Sequence, residues 1–334
     1  MSDKALIEVK NLKKYFRVPA GLNHAVDDVS FTINAGETLG VVGESGCGKS
    51  TLGRTIIRLL EATEGTVLLN GEDITHIKGR ALKKAREKMQ IVFQDPYSSL
   101  NPRKTIQKIL EEAYRIHRKD FHDKSLQEYV RDLCDMVEIP HSLLDHYPHE
   151  LDGGMRQVVG IARALSLSPE FIVCDEPVSS LDVSVQARII NLLIDLQKRD
   201  HYSYLFISHD LSAVRHISDR IAVMYLGQIV EMADEATLFS NTMHPYSAAL
   251  LSAVPVIDTE HKVSRIILKG DVPSPVDPKK GCRFAKRCWM AKPECFGEDT
   301  PELREVEPGH FVACHFAEET KKNAENAEKK SIDI

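Results

Sequence analysis

Short apolar runs alternate with amphipathic stretches along most of the chain. Val29–Ile33 alternates apolar and polar side chains, which is typical of a strand with one buried face. Further apolar runs indicate buried strands at Thr38–Val42, Gln90–Phe93, Phe171–Cys174 and Leu205–Ser208. Helical patterns follow at Lys49–Leu60 and Met155–Leu167. Because strands alternate with helices, the pattern predicts an α/β core with a mainly parallel sheet.

Two regions interrupt this alternation. From about Thr105 to Val137, apolar residues recur at helical spacing with many charges between them, which predicts an insertion of two or three helices. After Val254 the composition shifts to a proline-containing linker and then to a segment with four cysteines. We therefore predict a main domain over residues 1–254 with a helical subdomain at about 96–168, an extension over 255–317 and a charged, disordered tail over 318–334.

The composition limits the kind of partner that the chain meets. Its net charge of -6 gives no support to binding of nucleic acid. No apolar run approaches the roughly 20 residues of a membrane-spanning helix, and Met1–Lys10 lacks the apolar core of a secretion signal. We therefore expect a soluble chain that contacts a membrane only through a partner.

A glycine-rich loop lies between the strand candidate Thr38–Val42 and the helix candidate Lys49–Leu60. Its residues fit G-x-x-x-x-G-K-[ST] completely and are Gly43, Glu44, Ser45, Gly46, Cys47, Gly48, Lys49 and Ser50, with Thr51 following. Glycines let the backbone wrap around phosphate oxygens, and the start of the next helix favours negative charge. We expect Lys49 to contact the β- and γ-phosphates of a nucleotide and Ser50 to bind Mg²⁺. A plain glycine-rich turn is the alternative, and the motif alone fits a kinase, a GTPase or an ATPase.

Two acidic residues end the strand candidate Phe171–Cys174. Asp175 is placed to hold Mg²⁺ through water, as a second acidic position does in proteins with such a loop. The carboxylate of Glu176, the next residue, can orient or deprotonate an attacking water. The alternative is that both acids are solvated loop residues.

Together with further motifs, these residues resemble the nucleotide-binding subunits of ABC transporters. The matching residues occur in the family's order over about residues 5–250 and are Gln94, Leu151–Met155, Asp175–Pro177, Ser180–Asp182 and His209. The resemblance implies a P-loop NTPase fold, in which a RecA-like core carries an antiparallel β subdomain and a helical subdomain. It also implies that ATP and Mg²⁺ bind between two such subunits and that water attacks the γ-phosphate in line.

The resemblance further implies roles for individual side chains in hydrolysis. Gln94 is expected to contact Mg²⁺ or the attacking water. His209 is expected to contact the γ-phosphate and to hold the attacking geometry together with Glu176, while Lys49 stabilises the phosphates.

Two more roles implied by the resemblance concern the interface and the base. Asp182 is expected at the interface between the two subunits. An aromatic side chain near the start of the chain, Phe16 by spacing or its neighbour Tyr15, is expected to stack on adenine.

The sequence departs from the family at its signature, which reads Leu-Asp-Gly-Gly-Met where the family has Leu-Ser-Gly-Gly-Gln. In the family this loop faces the γ-phosphate held by the partner, so Asp152, Gly153 and Gly154 are expected to line the partner's site. Asp152 can still cap the helix, but two unit charges about 4 Å apart repel by about 1–4 kcal/mol at effective dielectric constants of about 80 to 20. We therefore expect the site completed by Asp152 to hydrolyse ATP poorly, and the second nucleotide-binding subunit to be a different chain. The alternative is that backbone amides suffice and Asp152 is a tolerated cap.

Four cysteines crowd the segment after the linker, with the spacing C-x5-C-x6-C-x18-C. They are Cys282, Cys288, Cys295 and Cys314. Without a secretion signal, a disulfide framework is a poor interpretation. Their chemistry alone indicates four soft ligands for Zn²⁺ or an iron–sulfur cluster. Three basic residues between them, Arg283, Lys286 and Arg287, are expected to offset the charge of a thiolate cluster.

The segment Leu268–Phe316 resembles the C-terminal extension of dipeptide and oligopeptide importer ATPases. Asp95–Arg103 and His244–Tyr246 resemble the same subfamily. The resemblance implies a structural [4Fe-4S] cluster on the four cysteines, with zinc and free thiols as the alternatives.

The expected function is therefore ATP hydrolysis that energises import of di- or oligopeptides. The implied partners are a second nucleotide-binding subunit, two membrane permeases and an extracytoplasmic peptide-binding protein. The chain is expected at the cytoplasmic face of the membrane, as a peripheral subunit. A soluble ABC ATPase outside transport, and a catalytically weak regulatory subunit, are the alternatives.

Overall fold

A computed structural model of the chain describes residues 5–117, 124–254, 265–268 and 270–320. The strands are β1 (Ala5–Val18), β2 (Gly21–Asn34), β3 (Thr38–Val42), β4 (Glu64–Leu69), β5 (Glu72–Asp73), β6 (Met89–Val92), β7 (Phe171–Asp175), β8 (Ser203–Ile207), β9 (Arg220–Tyr225), β10 (Gln228–Asp234), β11 (Arg304–Glu307) and β12 (His310–Val312). The α-helices are α1 (Lys49–Ile56), α2 (Gly79–Glu87), α3 (Pro96–Ser99), α4 (Ile106–Ile116), α5 (Leu126–Met136), α6 (Gly153–Leu165), α7 (Val183–Asp200), α8 (Leu211–Ile217), α9 (Glu235–Ser240) and α10 (Pro245–Leu251).

The larger sheet has the strand order β11-β12-β10-β9-β3-β8-β7-β6. Its centre is parallel, since β9, β3, β8, β7 and β6 pair in that way. Both faces of β7 are buried, because Phe171 and Val173 pack into one core cluster and Ile172 and Cys174 into another. A strand buried on both faces is continuously apolar, which is why short apolar runs predicted these strands correctly.

The smaller sheet is antiparallel and has the order β2-β1-β4-β5. The register of β1 on β2 shifts between Val9 and Leu12, and again up to Tyr15. Such irregularities bend a strand and re-aim its side chains. One face of this sheet packs with α1 around Ile7, Val67 and Leu52.

The predicted helical insertion is present as α4 and α5. Thr105 caps α4 by accepting a hydrogen bond from the amide of Lys108, and Ser125 forms a capping box with Glu128 at the start of α5. The buried faces of both helices pack into the same core cluster as α6. The 18-residue helix α7 was not among the predicted elements.

A buried carboxylate joins the C-terminal segment to the main sheet, where β12 pairs with β10. Glu231 of β10 accepts hydrogen bonds from the amides of Met243 and His244 at 2.6 and 3.1 Å. Its Oε1 lies 2.8 Å from Nε2 of His310 on β12, and both side chains are fully buried. Burying a carboxylate is costly unless it is bonded in this way, so the network fixes the strand order at this edge.

The predicted boundary at residue 254 stays a prediction, since residues 255–264 of the linker lie outside the described part. The predicted tail also lies outside it from residue 321 onward. Among the helices that the structure describes, none combines the length and the apolar character needed to cross a bilayer.

Candidate functional site

The glycine-rich loop connects β3 to α1 and approaches two backbone carbonyls very closely. Gly43 and Gly48 have φ values of 155° and 109°. A Cβ on Gly43 would lie 2.1 Å from the carbonyl oxygen of Met224, and one on Gly48 would lie 1.9 Å from that of Ala25. Only glycine fits these two positions, so the motif here has a steric cause.

Two side chains of the loop are held at its mouth by hydrogen bonds. Lys49 is buried, and its Nζ donates to the carbonyl oxygens of Gly43 at 2.7 Å and Glu44 at 3.1 Å. Ser50 donates to Oδ1 of Asp175 at 2.5 Å. The hydroxyl and the carboxylate are therefore paired at the start of α1, and the ammonium is held against the backbone of the loop.

Arg54 belongs to this group but was not predicted. It lies one helical turn after Ser50 on α1, and its Nη2 contacts Oδ2 of the fully buried Asp175 at 3.0 Å. The i,i+4 spacing to Ser50 is a signal that puts both side chains on one helix face.

Three predicted residues meet at the carboxyl ends of neighbouring strands. Gln94 follows β6, Glu176 follows β7 and His209 follows β8. The Glu176 carboxylate accepts a hydrogen bond from Nε2 of Gln94 at 2.9 Å and lies 3.4 Å from Nδ1 of His209. Glu176 has a φ of 48°, and a strained backbone at a non-glycine residue is a frequent mark of an active site.

The signature residues lie at the start of α6, which packs next to the start of α7. Asp152 caps α6 by accepting a hydrogen bond from the amide of Met155 at 2.7 Å, which confirms the predicted cap. A Cβ on Gly154 would lie 2.5 Å from Cγ1 of Val185 on α7. Asp182 caps α7 through the amide of Val185 at 3.1 Å. Both acids are exposed to solvent.

The two adenine-stacking candidates differ in their surroundings. The Tyr15 hydroxyl donates to Asp27, and its ring stacks on that of His24 with centroids 4.0 Å apart. The Phe16 ring is half-buried and has Nζ of Lys14 4.9 Å from its centroid. Tyr15 therefore already has a polar partner and a stacking partner.

All four cysteines of the C-terminal segment line one cavity. Its other walls include the apolar side chains of Phe284, Met290 and Phe316 and the polar side chains of His244, His315 and Thr320. Burial raises the pKa of the Cys282, Cys288 and Cys314 thiols to about 11. The described residues include all seven cysteines of the chain, and none of them forms a disulfide.

The described residues contain no group of three or more His, Cys, Asp or Glu side chains that could hold a metal ion.

Two of the three basic residues between the cysteines bond to carboxylates and not to the thiols as the sequence suggested. Arg283 donates to a carboxylate oxygen of Asp27, and Arg287 donates to both carboxylate oxygens of Glu44 at 2.7 and 2.9 Å. Their charge is balanced by these carboxylates and is not left to offset thiolates.

Two family models match the chain. The ABC transporter model matches residues 26–179. The model of the oligopeptide/dipeptide transporter C-terminal region matches residues 230–295.

Relatives match over almost the whole chain. The oligopeptide transport ATP-binding protein AppF of Bacillus subtilis is 51% identical over 325 residues, which are 94% of this chain and 98% of that protein. The oligopeptide transport ATP-binding protein OppF of the same organism is 49% identical over 319 residues, 95% of this chain and 98% of that protein.

Solved structures share the fold. A dimeric ATP-binding cassette in a post-hydrolysis state with ADP and Pi is 27% identical, with a TM-score of 0.62 over 69% of this chain and 98% of that one. CbiO1 of Clostridium perfringens, part of an ABC transporter complex, is 25% identical, with a TM-score of 0.61 over 71% of this chain and 91% of that one.

These matches confirm the predicted P-loop NTPase fold. ATP and Mg²⁺ are the ligands of such a cassette, and the residues gathered at the loop suit both. The chain belongs to the ABC transporter family, as an ATP-hydrolysing subunit that carries the C-terminal region of the oligopeptide/dipeptide transporters.

Proposed function

We propose that ATP hydrolysis by this chain drives the import of di- or oligopeptides across a membrane. The names of the relatives and the matched C-terminal region support this cargo class. The observation that supports its catalytic part is the convergence of Gln94, Glu176 and His209 beside the phosphate loop.

The proposed assembly contains a second nucleotide-binding subunit, two membrane permeases and an extracytoplasmic peptide-binding protein. The chain lies at the cytoplasmic face and contacts the membrane only through the permeases. Asp152 and Asp182 are both exposed, so the starts of α6 and α7 are accessible to the second subunit.

In the proposed mechanism Glu176 orients a water molecule in line with the γ-phosphate. The water oxygen forms a bond to phosphorus, the bond from phosphorus to the β–γ bridging oxygen breaks, and Glu176 takes the proton of the water. Gln94 and His209 hold the carboxylate in place, while Lys49 holds the β- and γ-phosphates. Ser50 and Asp175 would hold Mg²⁺, which would supply positive charge to the phosphates.

The central test replaces the proposed base. In the transporter purified with its permeases and binding protein, Glu176→Gln lowers peptide-stimulated ATP hydrolysis by about 10²- to 10⁴-fold, because the amide cannot accept the proton. ATP binding, measured by equilibrium titration, is retained.

The matched control is Glu298→Gln, since the Glu298 side chain is 87% exposed and pairs with the exposed Lys280. It leaves hydrolysis unchanged. Hydrolysis that survives Glu176→Gln contradicts the assigned role, and wild-type hydrolysis that no peptide stimulates contradicts the cargo.

We assign the stacking on adenine to Phe16, because Tyr15 is already bonded to Asp27 and stacked on His24. Aromatic stacking on a base contributes about 1–3 kcal/mol, so Phe16→Ala weakens ATP binding by roughly 5- to 150-fold. Tyr15→Ala has a smaller effect. The reverse order in a fluorescence titration would give the stacking role to Tyr15.

We propose that Asp152 weakens the composite ATP site that it completes on the partner's nucleotide. Its carboxylate is exposed at the start of α6 and adds negative charge where the γ-phosphate is expected. In a dimer with the second subunit, Asp152→Ser raises the ATPase rate by at least about threefold, given the repulsion estimated above.

Asp152→Asn separates charge from hydrogen bonding, because Asn keeps the cap and removes the charge. A rise with both variants assigns the effect to charge, and a rise with Ser alone assigns it to the hydroxyl. A rate that neither variant raises refutes the proposal.

We also propose that the four cysteines hold a [4Fe-4S] cluster with a structural role. The four thiols line one cavity together with Phe284, Met290 and Phe316, and none of them forms a disulfide, which supports a shared site for a soft metal centre. Cys282, Cys288, Cys295 and Cys314 would be its ligands.

Protein prepared without oxygen is therefore expected to be brown and to contain about four iron atoms per chain. Cys295→Ser removes the colour and most of the iron. Cys134→Ala, which changes a buried cysteine of α5, keeps both. Colourless wild-type protein with one zinc per chain would exclude the cluster.

A further inference from the structure

The four-cysteine segment contacts the phosphate loop directly. Arg287 ends the short turn Ala285–Arg287, between Cys282 and Cys288. Its guanidinium forms two hydrogen bonds, at 2.7 and 2.9 Å, with the carboxylate of Glu44, the second residue of the loop. The Arg287 side chain is 7% exposed and that of Glu44 is 27% exposed, so the pair is partly shielded from water. A two-pronged contact of this kind fixes geometry as well as charge.

The same loop residue is held from a second side. The backbone amide of Glu44 donates to the hydroxyl of Tyr246 at 2.8 Å. The Tyr246 ring packs against Tyr225 and Phe284, with centroids 4.6 and 5.4 Å apart. Phe284 belongs to the cysteine segment and lines the cavity. The position of Glu44 therefore depends on packing that reaches the cavity wall.

A similar contact connects the cysteine segment to the strands near Phe16, the proposed adenine-stacking residue. Arg283, the residue after Cys282, donates to Asp27 and to the carbonyl oxygen of Leu226. Asp27 also accepts the hydroxyl of Tyr15, next to Phe16. The two arginines thus hold the two elements of the chain that are expected to contact the phosphates and the base.

The charge of Arg287 is expected to affect how the loop binds ATP. Glu44 carries a negative charge on the loop that takes the anionic phosphates, and Arg287 neutralises it. Without the arginine, the carboxylate is left uncompensated in a partly buried position, where charges are poorly screened.

We propose that Arg287 and Arg283 are positioning residues of the ATP site, through which the four-cysteine segment sets the affinity of the phosphate loop for nucleotide. The inference rests on the ATP site proposed above, and it holds whether the cavity contains a cluster or not.

The test measures ATP affinity in the assembled transporter. Arg287→Met raises Kd and KM for ATP on the order of tenfold, a usual size for coupling between two sites, and leaves kcat at saturating ATP within about twofold of wild type. Lys286→Met is the matched control, because it removes one positive charge from the same turn at an exposed position. It leaves both constants unchanged.

A double-mutant cycle separates positioning from simple loss of structure. In a Glu44→Gln background, Arg287→Met changes Kd by less than about threefold, because no carboxylate is left to compensate. Arg287→Lys restores charge without the two-pronged geometry and gives an intermediate Kd.

Lys49→Ala serves as the reference for the nucleotide site itself. If it leaves ATP binding intact, the proposed site is wrong. If Lys49→Ala abolishes binding while Arg287→Met leaves Kd unchanged, or raises Kd equally in both Glu44 backgrounds, the site stands and this inference is refuted.

Discussion

The arrangement of the whole site depends on how closely the phosphate loop approaches the backbone of its two neighbouring strands. Gly48 lies against the carbonyl of Ala25 in β2, and Gly43 lies against that of Met224 in β9. One strand belongs to the antiparallel sheet and the other to the main sheet. Gly227 lies in the turn between β9 and β10, and its amide donates to the carbonyl oxygen of Cys47 in the loop at 2.8 Å. The loop therefore packs against both sheets at once, and a side chain at either glycine would displace one of them.

The parallel core brings the remaining groups to this point without long loops. β6, β7 and β8 are neighbours, and each is followed within two residues by one member of the Gln94, Glu176 and His209 group. Ligand sites of open α/β sheets lie at the carboxyl ends of strands for this reason. Glu176 could be predicted from the sequence because it follows an apolar run, whereas Gln94 and His209 were predicted through the resemblance to the ABC transporter family. The strained φ of Glu176 could not be predicted, because a glutamate does not indicate a positive φ in the sequence.

The contacts of the cysteine segment lie beyond what sequence patterns contain. Arg287 is 243 residues from Glu44, and Arg283 is 256 residues from Asp27. A sequence shows which charges are near one another along the chain, and on that basis both arginines were assigned to the thiolates. In the folded chain they are closer to carboxylates of the nucleotide site, and an arginine pairs with the nearest carboxylate that it can contact with two hydrogen bonds. Only the fold decides which carboxylate that is.

The nucleotide site has a buried part and an exposed part, and the C-terminal segment contacts residues near the buried part. Lys49, Asp175 and the pair formed by Glu44 and Arg287 lie in the interior or close to it. Asp152 and Asp182 are exposed and bond only to the first turns of their own helices. Arg287 contacts Glu44 of this buried group, and Arg283 contacts Asp27 and the carbonyl oxygen of Leu226. An effect of the segment on the enzyme is therefore expected in how tightly the chain binds its own nucleotide. The approach of the second subunit depends on a different surface, at the starts of α6 and α7, and on the charge that Asp152 places there.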